Sequence, residues 1–413
     1  MSRPLSPVSD AGRRAMALVG PLLPELASRA AANDRAAVFP VAQARRLQAV
    51  GVAALTAPTE LGGGGVDQLR DVMALAARVA AADASMGIAL NMHLSFCWSL
   101  ARLARAGLPA SPAAAELLGA VSAGRVWFCS AVTEAGVNYL HPRTTLTARG
   151  ADAGGGFRLD GVKVFATASP AATHFNVNAR GVGAGVEGRL CTVVVPADAA
   201  GVTVLDDWDG MGMRASGSGS VRFDAVAVAA PPDALVSPGG PVGAWSPGVL
   251  CGRAFGNTGN LAAMLGVAEA AHELAHERVR RGARVTAAPL GERAGVRHLA
   301  AELTVELAAA RAALARLGEE ADEVAAAPPT ELADAHRFMA SFQETKLIVN
   351  RAAQAVCDRA LTLAGGVGYT GASAAQRHYR DVRAGGFMQP FSPHEALGYL
   401  GDLAAGRAPD VLA

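Results

Sequence analysis

Two changes in composition along the chain constrain its fold more than any other feature. Residues 1–124 are rich in Ala, Leu and Arg, and their apolar positions recur with a helical period. Residues 125–240 contain short runs of Val, Thr and Phe between Gly and Asp-Gly turns, a pattern typical of antiparallel strands. Residues 241–413 return to the helical period. The pattern predicts an α+β protein with an N-terminal helical domain, a middle β-barrel or sandwich and a C-terminal helical bundle.

The C-terminal region divides into separate helices. Their predicted bounds are Asn260–Arg281, Gly295–Leu317 and Thr330–Ala364, and the stretch GEEADEVAAAPPTE is expected to be the loop before the last of them. Long Ala-, Glu- and Arg-rich helices of this kind are typical of bundles.

The charge balance and the cysteines exclude several classes of protein. The 37 basic and 36 acidic residues nearly cancel, so neither nucleic acid nor an anionic membrane surface is an expected partner. Five scattered cysteines without a C-x-x-C pair argue against a disulfide framework or a thiolate zinc site and favour a cytoplasmic protein. Prolines interrupt the N-terminal stretch, which does not read as a signal peptide, and the sequence contains no run of about 18 apolar residues that would predict a membrane span.

One short motif suggests a metal site. His272, Glu273 and His276 spell H-E-x-x-H on a predicted helix, where both imidazoles would lie on one face and the glutamate could act as the general base of a zinc protease. Glu292 and Glu302 are candidates for a third ligand by distance along the chain. The apolar stripe of the helix runs elsewhere, through Leu261, Met264, Leu265, Ala268, Ala271 and Ala275. We therefore interpret the motif as part of a charged, solvent-facing surface and expect no metal.

Two predicted strand ends carry side chains suited to a flat heteroaromatic ring. Thr133 and Glu134 follow the run VWFCSAV and precede a glycine, which places a hydroxyl and backbone groups at a strand end. Phe165 and Thr167 are two residues apart and so share one face of another strand. An aromatic ring beside a hydroxyl favours stacking and hydrogen bonding to such a ligand, although both residue types are also common in ordinary strands.

Two further segments could contact an anion. The stretch TLAGGVGYTG ends a predicted helix with glycines whose backbone N–H groups can approach a pyrophosphate, although glycine also caps helices routinely. Arg280 and Arg281 end the helix that carries the H-E-x-x-H motif. A cation is favourable there with or without a phosphate, because of the helix dipole.

Four segments, taken in order, resemble the acyl-CoA dehydrogenase superfamily over essentially the whole chain. They are AVTEAG, GFRLDGVKVFATAS, GMGMRASGSGSVRFDAVAV and LTLAGGVGYTGASAAQRHYRDVRAG. The resemblance implies an N-terminal helical domain, a middle antiparallel β-barrel and a C-terminal four-helix bundle. It also implies a homodimer or homotetramer with FAD, or FMN as in some relatives, between barrel and bundle.

The resemblance carries site residues with it. Val132 and Thr133 would contact the flavin ring, Phe165 and Thr167 would flank it, and Arg281, or its neighbour Arg280, would reach the pyrophosphate. The adenosine-diphosphate part would be received from a partner chain by Gly365, Gly366 and Gly368.

The sequence departs from the family at the catalytic base. Dehydrogenases of this family use a carboxylate to remove the α-proton of an acyl thioester while the flavin accepts a hydride. The corresponding position, a few residues beyond Arg380 and Asp381, is Gln389, whose amide is not a base at neutral pH. The alternative family position, before the helix that contains Gly266, also lacks an acid. A shifted loop could bring Glu395 into this role.

The loss of the base resembles the flavin monooxygenase branch that includes dibenzothiophene monooxygenase. That branch uses reduced flavin and oxygen through a flavin C4a-hydroperoxide, with histidines near the ring, and His93 and His394 lie in corresponding regions. We therefore predict a monooxygenase of a hydrophobic small molecule, with reduced flavin supplied by a separate reductase. Two alternatives stay open: a dehydrogenase of an acyl thioester on CoA or a carrier protein, and a flavin-binding protein without catalysis.

Overall fold

The chain forms six helices, then eight strands in one sheet, then six more helices, in a computed structural model that describes residues 4–150, 155–281 and 289–409. The N-terminal helices are α1 (Asp10–Val19), α2 (Leu23–Ala36), α3 (Val41–Ala49), α4 (Leu69–Ala82), α5 (Ala84–Arg105) and α6 (Ser111–Ser122). The strands are β1 (Phe128–Ala131), β2 (Thr145–Ala148), β3 (Phe157–Lys163), β4 (His174–Val182), β5 (Arg189–Pro196), β6 (Val202–Val204), β7 (Val221–Val228) and β8 (Val236–Pro241). The C-terminal helices are α7 (Pro247–Arg280), α8 (Ala294–Ala326), α9 (Leu332–Ala364), α10 (Ala374–Val382), α11 (Ala384–Phe387) and α12 (Pro393–Ala404).

The sheet is mixed, whereas the sequence pattern suggested antiparallel strands throughout. Its strand order is β6-β7-β3-β2-β4-β5-β8, with β1 paired to β4. Strands β1 and β2 both pair with β4 in parallel, and neither is joined to it directly, because at least β3 comes between them in the chain. The remaining pairs are antiparallel. Alternate residues of these strands fill the core of the sheet, including Phe175, Val177, Val193 and Phe223.

The N-terminal and C-terminal helices share one apolar core. Helix α4 packs against α7, and the residues of α7 that the sequence pattern placed in its apolar stripe are all buried. Gly266 of α7 allows the two helices to approach closely, because a Cβ there would lie 2.0 Å from the carbonyl oxygen of Ala77 in α4. The predicted order of helical, sheet and helical regions is therefore confirmed. The domain boundaries at residues 124 and 240 stay predictions.

Two helices of the C-terminal region are longer than the sequence pattern predicted. Helix α7 begins at Pro247, because the Ser246 side chain caps it by accepting a hydrogen bond from the N–H of Val249. Helix α8 continues to Ala326 through most of the predicted loop. Ala321 and Ala325 are buried there, and Asp322 forms an ion pair with Arg70 of α4 at 2.7 Å.

The helices and the cysteines were also compared with the expectations for a membrane span and for disulfides. Within the described ranges, no helix combines the length and apolar character that are needed to cross a bilayer. The five cysteines are all buried and unpaired: Cys97, Cys129, Cys191, Cys251 and Cys357.

Candidate flavin site and substrate cleft

The two predicted strand ends lie side by side. Thr133 and Val164 form an isolated antiparallel bridge, in which the N–H of Val164 donates to the carbonyl of Thr133 at 2.9 Å. The bridge brings Phe165 next to Thr133. The buried Thr167 hydroxyl lies 2.9 Å from the hydroxyl of Ser218. These residues, predicted from separate motifs, thus lie together at the edge of the sheet where strands β1 and β3 end.

Phe165 is held in an unfavourable conformation that exposes its ring. Its φ is +55°, in the left-handed region that a residue with a Cβ rarely adopts. The side chain is 61% exposed and contacts Trp208 edge-on, with 6.2 Å between ring centroids. Trp208 is itself fixed by a hydrogen bond from its indole N–H to the carbonyl of Met213 at 3.1 Å. Strain at an exposed aromatic residue is a sign of a binding site.

A cleft beside this edge brings residues of the sheet region together with the C-terminal segment. Its lining consists of Val132, Thr133, Glu134, Val137, Asn138, Tyr139, Pro142, Asn178 and Gln389. Three predicted site residues, Val132, Thr133 and Gln389, therefore meet in one cleft. Thr133 offers a hydroxyl and Gln389 an amide to a ligand there.

A buried ion pair between Lys163 and Glu134 lies at the wall of the cleft, and no sequence motif indicated it. Lys163 is fully buried and donates to Glu134 Oε1 at 2.7 Å and to Asn178 Oδ1 at 3.0 Å. Burial lowers the pKa of Lys163 to about 8. Burial raises the pKa of Glu134, but hydrogen bonds from Lys163 and Thr144 outweigh this effect and lower it. The pair therefore joins the segment of Thr133 to the strand that leads into Phe165.

Gln389 is held by a buried arginine. Arg253 of α7 donates from Nη2 to Gln389 Oε1 and, at 3.0 Å, to the carbonyl of Pro390. Its guanidinium also lies over the ring of Tyr139, 4.0 Å from the centroid. Burial lowers the pKa of Arg253 to about 10, which leaves it charged at neutral pH. Gln389, the residue predicted at the position of the dehydrogenase base, thus brings a neutral amide to the cleft.

His93 has the contacts of a structural histidine rather than those of a proton donor to a ligand. Its ring is fully buried, Nδ1 accepts from the N–H of Phe128 at 2.9 Å, and Nε2 lies 2.8 Å from the carbonyl of Ala53. Both ring nitrogens are therefore used by the backbone, and the ring stacks on Trp127. No free ring nitrogen or exposed ring surface remains in this placement, and the role of His93 beside a flavin stays a prediction.

The burial of His93 predicts a pH-dependent stability. Burial lowers its pKa to about 4, against about 6.5 in an unfolded chain. The folded state therefore binds fewer protons than the unfolded state between these values, and the free energy of unfolding should fall by about 3 kcal/mol as the pH drops from 6.5 to 4. Urea unfolding at several pH values measures this. His93→Gln should be less stable at pH 7 but show a shallower acid slope, whereas the exposed His298→Gln should keep the wild-type slope. An unchanged slope in His93→Gln would contradict this assignment.

The other two predicted catalytic residues lie at the start of α12. His394 and Glu395 are both exposed. The Glu395 carboxylate accepts from the N–H of Ser392 at 2.6 Å in a capping box, so it stabilises the helix end. It does not line the cleft. A role for Glu395 as a displaced base would require it to leave this cap.

Three of the four residues predicted to contact the flavin phosphates or the adenosine diphosphate lie on the surface of the single chain. Arg281 forms an exposed ion pair with Glu277 at 3.3 Å and precedes residues outside the described ranges. Gly365 and Gly366 are exposed, and Gly365 has a φ of +67°. Gly368 is buried, where a Cβ would lie 2.6 Å from that of Ala364. Their contacts with phosphates and with a partner chain stay predictions.

The H-E-x-x-H motif packs on the neighbouring helix instead of facing solvent freely. His272 and His276 are both half-buried and lie 3.1 and 3.3 Å from the Thr304 hydroxyl of α8. Burial lowers the pKa of His272 to about 4, with the charges of His276 and Arg311 acting in the same direction. Among the described residues, no group of three or more His, Cys, Asp or Glu side chains could hold a metal ion.

The residues at the cleft fit a flavin ring. The exposed Phe165 ring offers a stacking surface, and the nearby Thr133 offers a hydroxyl at the wall of the cleft. Two buried polar atoms near this region, Thr144 Oγ1 and Arg253 Nε, have no hydrogen-bond partner within the described part of the chain.

Comparisons with known proteins define the class. Models of the N-terminal, middle and C-terminal domains of acyl-CoA dehydrogenase match residues 23–110, 129–226 and 255–389. The amino sugar nitrososynthase DnmZ of Streptomyces peucetius is 38% identical over 97% of this chain and 95% of its own length. The structure of KijD3 in complex with FMN and dTDP-3-amino-2,3,6-trideoxy-4-keto-3-methyl-D-glucose has a TM-score of 0.89 and 36% identity, and the match covers 98% of this chain and 96% of that one. A dibenzothiophene monooxygenase from Paenibacillus shares the fold, with 23% identity, a TM-score of 0.83 and coverage of 97% and 99%.

The chain belongs to the acyl-CoA dehydrogenase superfamily. Within it, the chain is a flavin-dependent monooxygenase, since its relatives at 36–38% identity are nitrososynthases while acyl-CoA dehydrogenases match at 28% or less. The predictions of a flavin cofactor, of an enzyme and of oxygenation rather than dehydrogenation are thereby confirmed. That the substrate is a small molecule is confirmed, and its chemical identity stays a prediction.

Proposed function

We propose that this enzyme oxidises the amino group of a dTDP-linked amino sugar to a nitroso group. The observation that carries the proposal is the neutral Gln389 amide, held by Arg253 in the cleft at the place of the dehydrogenase base. A cleft without a free base cannot remove a carbon-bound proton from a thioester, but an amine substrate requires no such base. The names of the similar relatives support this choice, as does the nucleotide-linked amino sugar bound to KijD3.

The reaction consists of two oxygenations. The first takes up O2, two electrons and two protons, converts the amine to a hydroxylamine and releases one water. The second takes up the same reagents, converts the hydroxylamine to the nitroso compound and releases two waters. Reduced flavin supplies the electrons and activates the oxygen. The proposed substrate is a nucleotide-linked sugar, whereas the sequence composition suggested an apolar small molecule.

The residues of this chain bind and orient the reactants. Phe165 and Thr133 would hold the flavin ring at the edge of the sheet, with Thr167 fixing that edge through Ser218. Tyr139 and Asn178 line the cleft with Gln389 and would position the sugar. Arg253 keeps Gln389 and Tyr139 in place.

Several finer points belong to the same proposal. The flavin is FMN or FAD, bound by a homodimer or homotetramer in which Arg281 and the glycines near residue 366 contact phosphates. A separate flavin reductase supplies the reduced form, and the enzyme acts in the cytoplasm. Analysis of flavin released on denaturation, light scattering of the purified protein and activity with and without an added reductase test these points separately.

The proposed reaction is tested by a product assay. The protein is incubated in air with flavin, NADH, a flavin reductase and the dTDP-3-amino sugar that is bound in the KijD3 structure, and the products are analysed by mass spectrometry. We expect the hydroxylamine and the nitroso sugar nucleotide to form in sequence. If the amine is recovered unchanged while butyryl-CoA bleaches the oxidised flavin anaerobically, the proposal is wrong and the dehydrogenase alternative is right.

A further inference from the structure

Two buried cations hold the segment that carries Gln389. Arg253 of α7 donates to Gln389 Oε1 and to the carbonyl of Pro390. Lys346 of α9 donates to the carbonyls of Met388 and Phe391. The two side chains thus make four hydrogen bonds to residues 388–391, and every acceptor is neutral. Arg253 is 9% exposed and Lys346 2%.

The charge of these cations is not neutralised by a hydrogen-bonded carboxylate within the described residues. The nearest acid that acts on both is Glu395, which is exposed to solvent and engaged in capping α12. Glu134, the carboxylate that lines the cleft, is already paired with Lys163. Tyr139 offers Arg253 only its ring. Burial lowers the pKa of Lys346 to about 8, and the charge of Arg253 acts in the same direction.

This arrangement matters for the chemistry of an amine. A sugar amine is protonated in neutral water, and an ammonium group has no lone pair with which to attack an activated oxygen. A nearby cation disfavours the protonated amine, as it does for reactive lysines next to a second positive charge. A carboxylate at the same place would have the opposite effect and would stabilise the ammonium form.

We propose that Arg253 and Lys346 form a cationic wall behind the neutral Gln389, which lines the cleft. This wall makes the site bind the amino group of its substrate in the neutral form. The inference rests on the proposed function and deepens it. On binding, the ammonium form of the substrate releases one proton to solvent, and no covalent bond to the protein forms. Gln389, Arg253 and Lys346 act as positioning and specificity residues.

The test measures proton release on binding, independently of turnover. The flavin-loaded enzyme is titrated calorimetrically under nitrogen with the dTDP-3-amino sugar at pH 7, in buffers of different ionisation enthalpy. We expect the release of close to one proton per bound amine wherever the free amine is protonated, and no release with dTDP-glucose. In Gln389→Glu, the added carboxylate would pair with Arg253 and lie beside the amine, so release should disappear and the acid limb of kcat should move up by at least about one pH unit.

Two further variants keep the result interpretable. Gln376→Glu is the matched control, since Gln376 also accepts from an arginine, Arg380, at 2.8 Å but does not line the cleft; it should behave as the wild type. Gln389→Met keeps the site neutral and should still release a proton. If the wild-type enzyme binds the amino sugar without releasing a proton, the inference is wrong while the proposed function stands. If dTDP-3-amino sugar does not bind at all, the proposed function fails.

Discussion

Lys163→Met is expected to lower the free energy of unfolding by about 3–5 kcal/mol, because it leaves the Glu134 carboxylate in a buried site without its cation. Lys163 is fully buried and Glu134 nearly so, and the ion pair has an N–O distance of 2.7 Å. The flavin should also be released more readily, because Lys163 lies two residues before Phe165 and Glu134 follows Thr133 directly. Urea unfolding and flavin fluorescence titration measure the two effects.

Two comparisons separate the effect of the buried Glu134 charge from the other effects of the substitution. Lys163→Met combined with Glu134→Gln should recover part of the loss, since the neutral amide leaves no uncompensated charge and its one oxygen can still accept from the N–H of Arg143 or of Thr144. Arg158→Met removes an exposed ion pair with Asp160 from the same strand and should change stability by no more than about 1 kcal/mol. Equal effects of Lys163→Met and Arg158→Met would contradict the assignment of a buried, paired charge.

Gly212→Ala is expected to disrupt the contact between the sheet region and the C-terminal helices. A Cβ at this position would lie 2.2 Å from the carbonyl oxygen of Arg380, and this backbone atom of α10 cannot move aside alone. The neighbouring Met213 N–H donates to Asp381 at 2.7 Å, and Met213 also holds Trp208, which contacts Phe165. We expect the free energy of unfolding to fall by about 1–3 kcal/mol and the flavin to bind more weakly.

A matched glycine replacement provides the control for this prediction. Gly248 lies in the first turn of α7, and a Cβ there would have no neighbour within 4 Å. Gly248→Ala should therefore leave both stability and flavin affinity close to those of the wild type. Flavin affinity that is unchanged in Gly212→Ala would show that Trp208 does not depend on this junction.

The sequence predicted those features that depend on short-range patterns. The period of apolar residues in α4 and α7 follows from burial of one helix face, and the buried stripe of α7 matches it. The mixed pairing around β4 could not be predicted, because strand direction depends on connections rather than on composition. The extension of α8 to Ala326 depends on the contact of Asp322 with Arg70 in a distant helix, which no local signal contains.

The sequence predicted only those residues of the site that belong to local motifs. Val132, Thr133 and Gln389 carried family motifs and meet in the cleft. Lys163, Arg253 and Lys346 were missed as site residues, because their importance lies in burial beside distant partners. A signal for Lys346 exists in retrospect: it is a lone cation on the buried face of α9, next to Thr345 and Leu347. His93 was singled out as a lone histidine in an apolar helix, and the structure gives it two backbone partners.

Oxygenation of a sugar amine by this enzyme is tested most directly by following the oxygen atom. The purified protein, flavin, an NADH-dependent flavin reductase and the dTDP-3-amino sugar are incubated under dioxygen enriched in the heavy isotope, and the sugar nucleotide is analysed by mass spectrometry. We expect a nitroso product whose new oxygen carries the heavy isotope. An unchanged amine with NADH consumed only to hydrogen peroxide, or a product whose oxygen comes from water, would contradict this expectation.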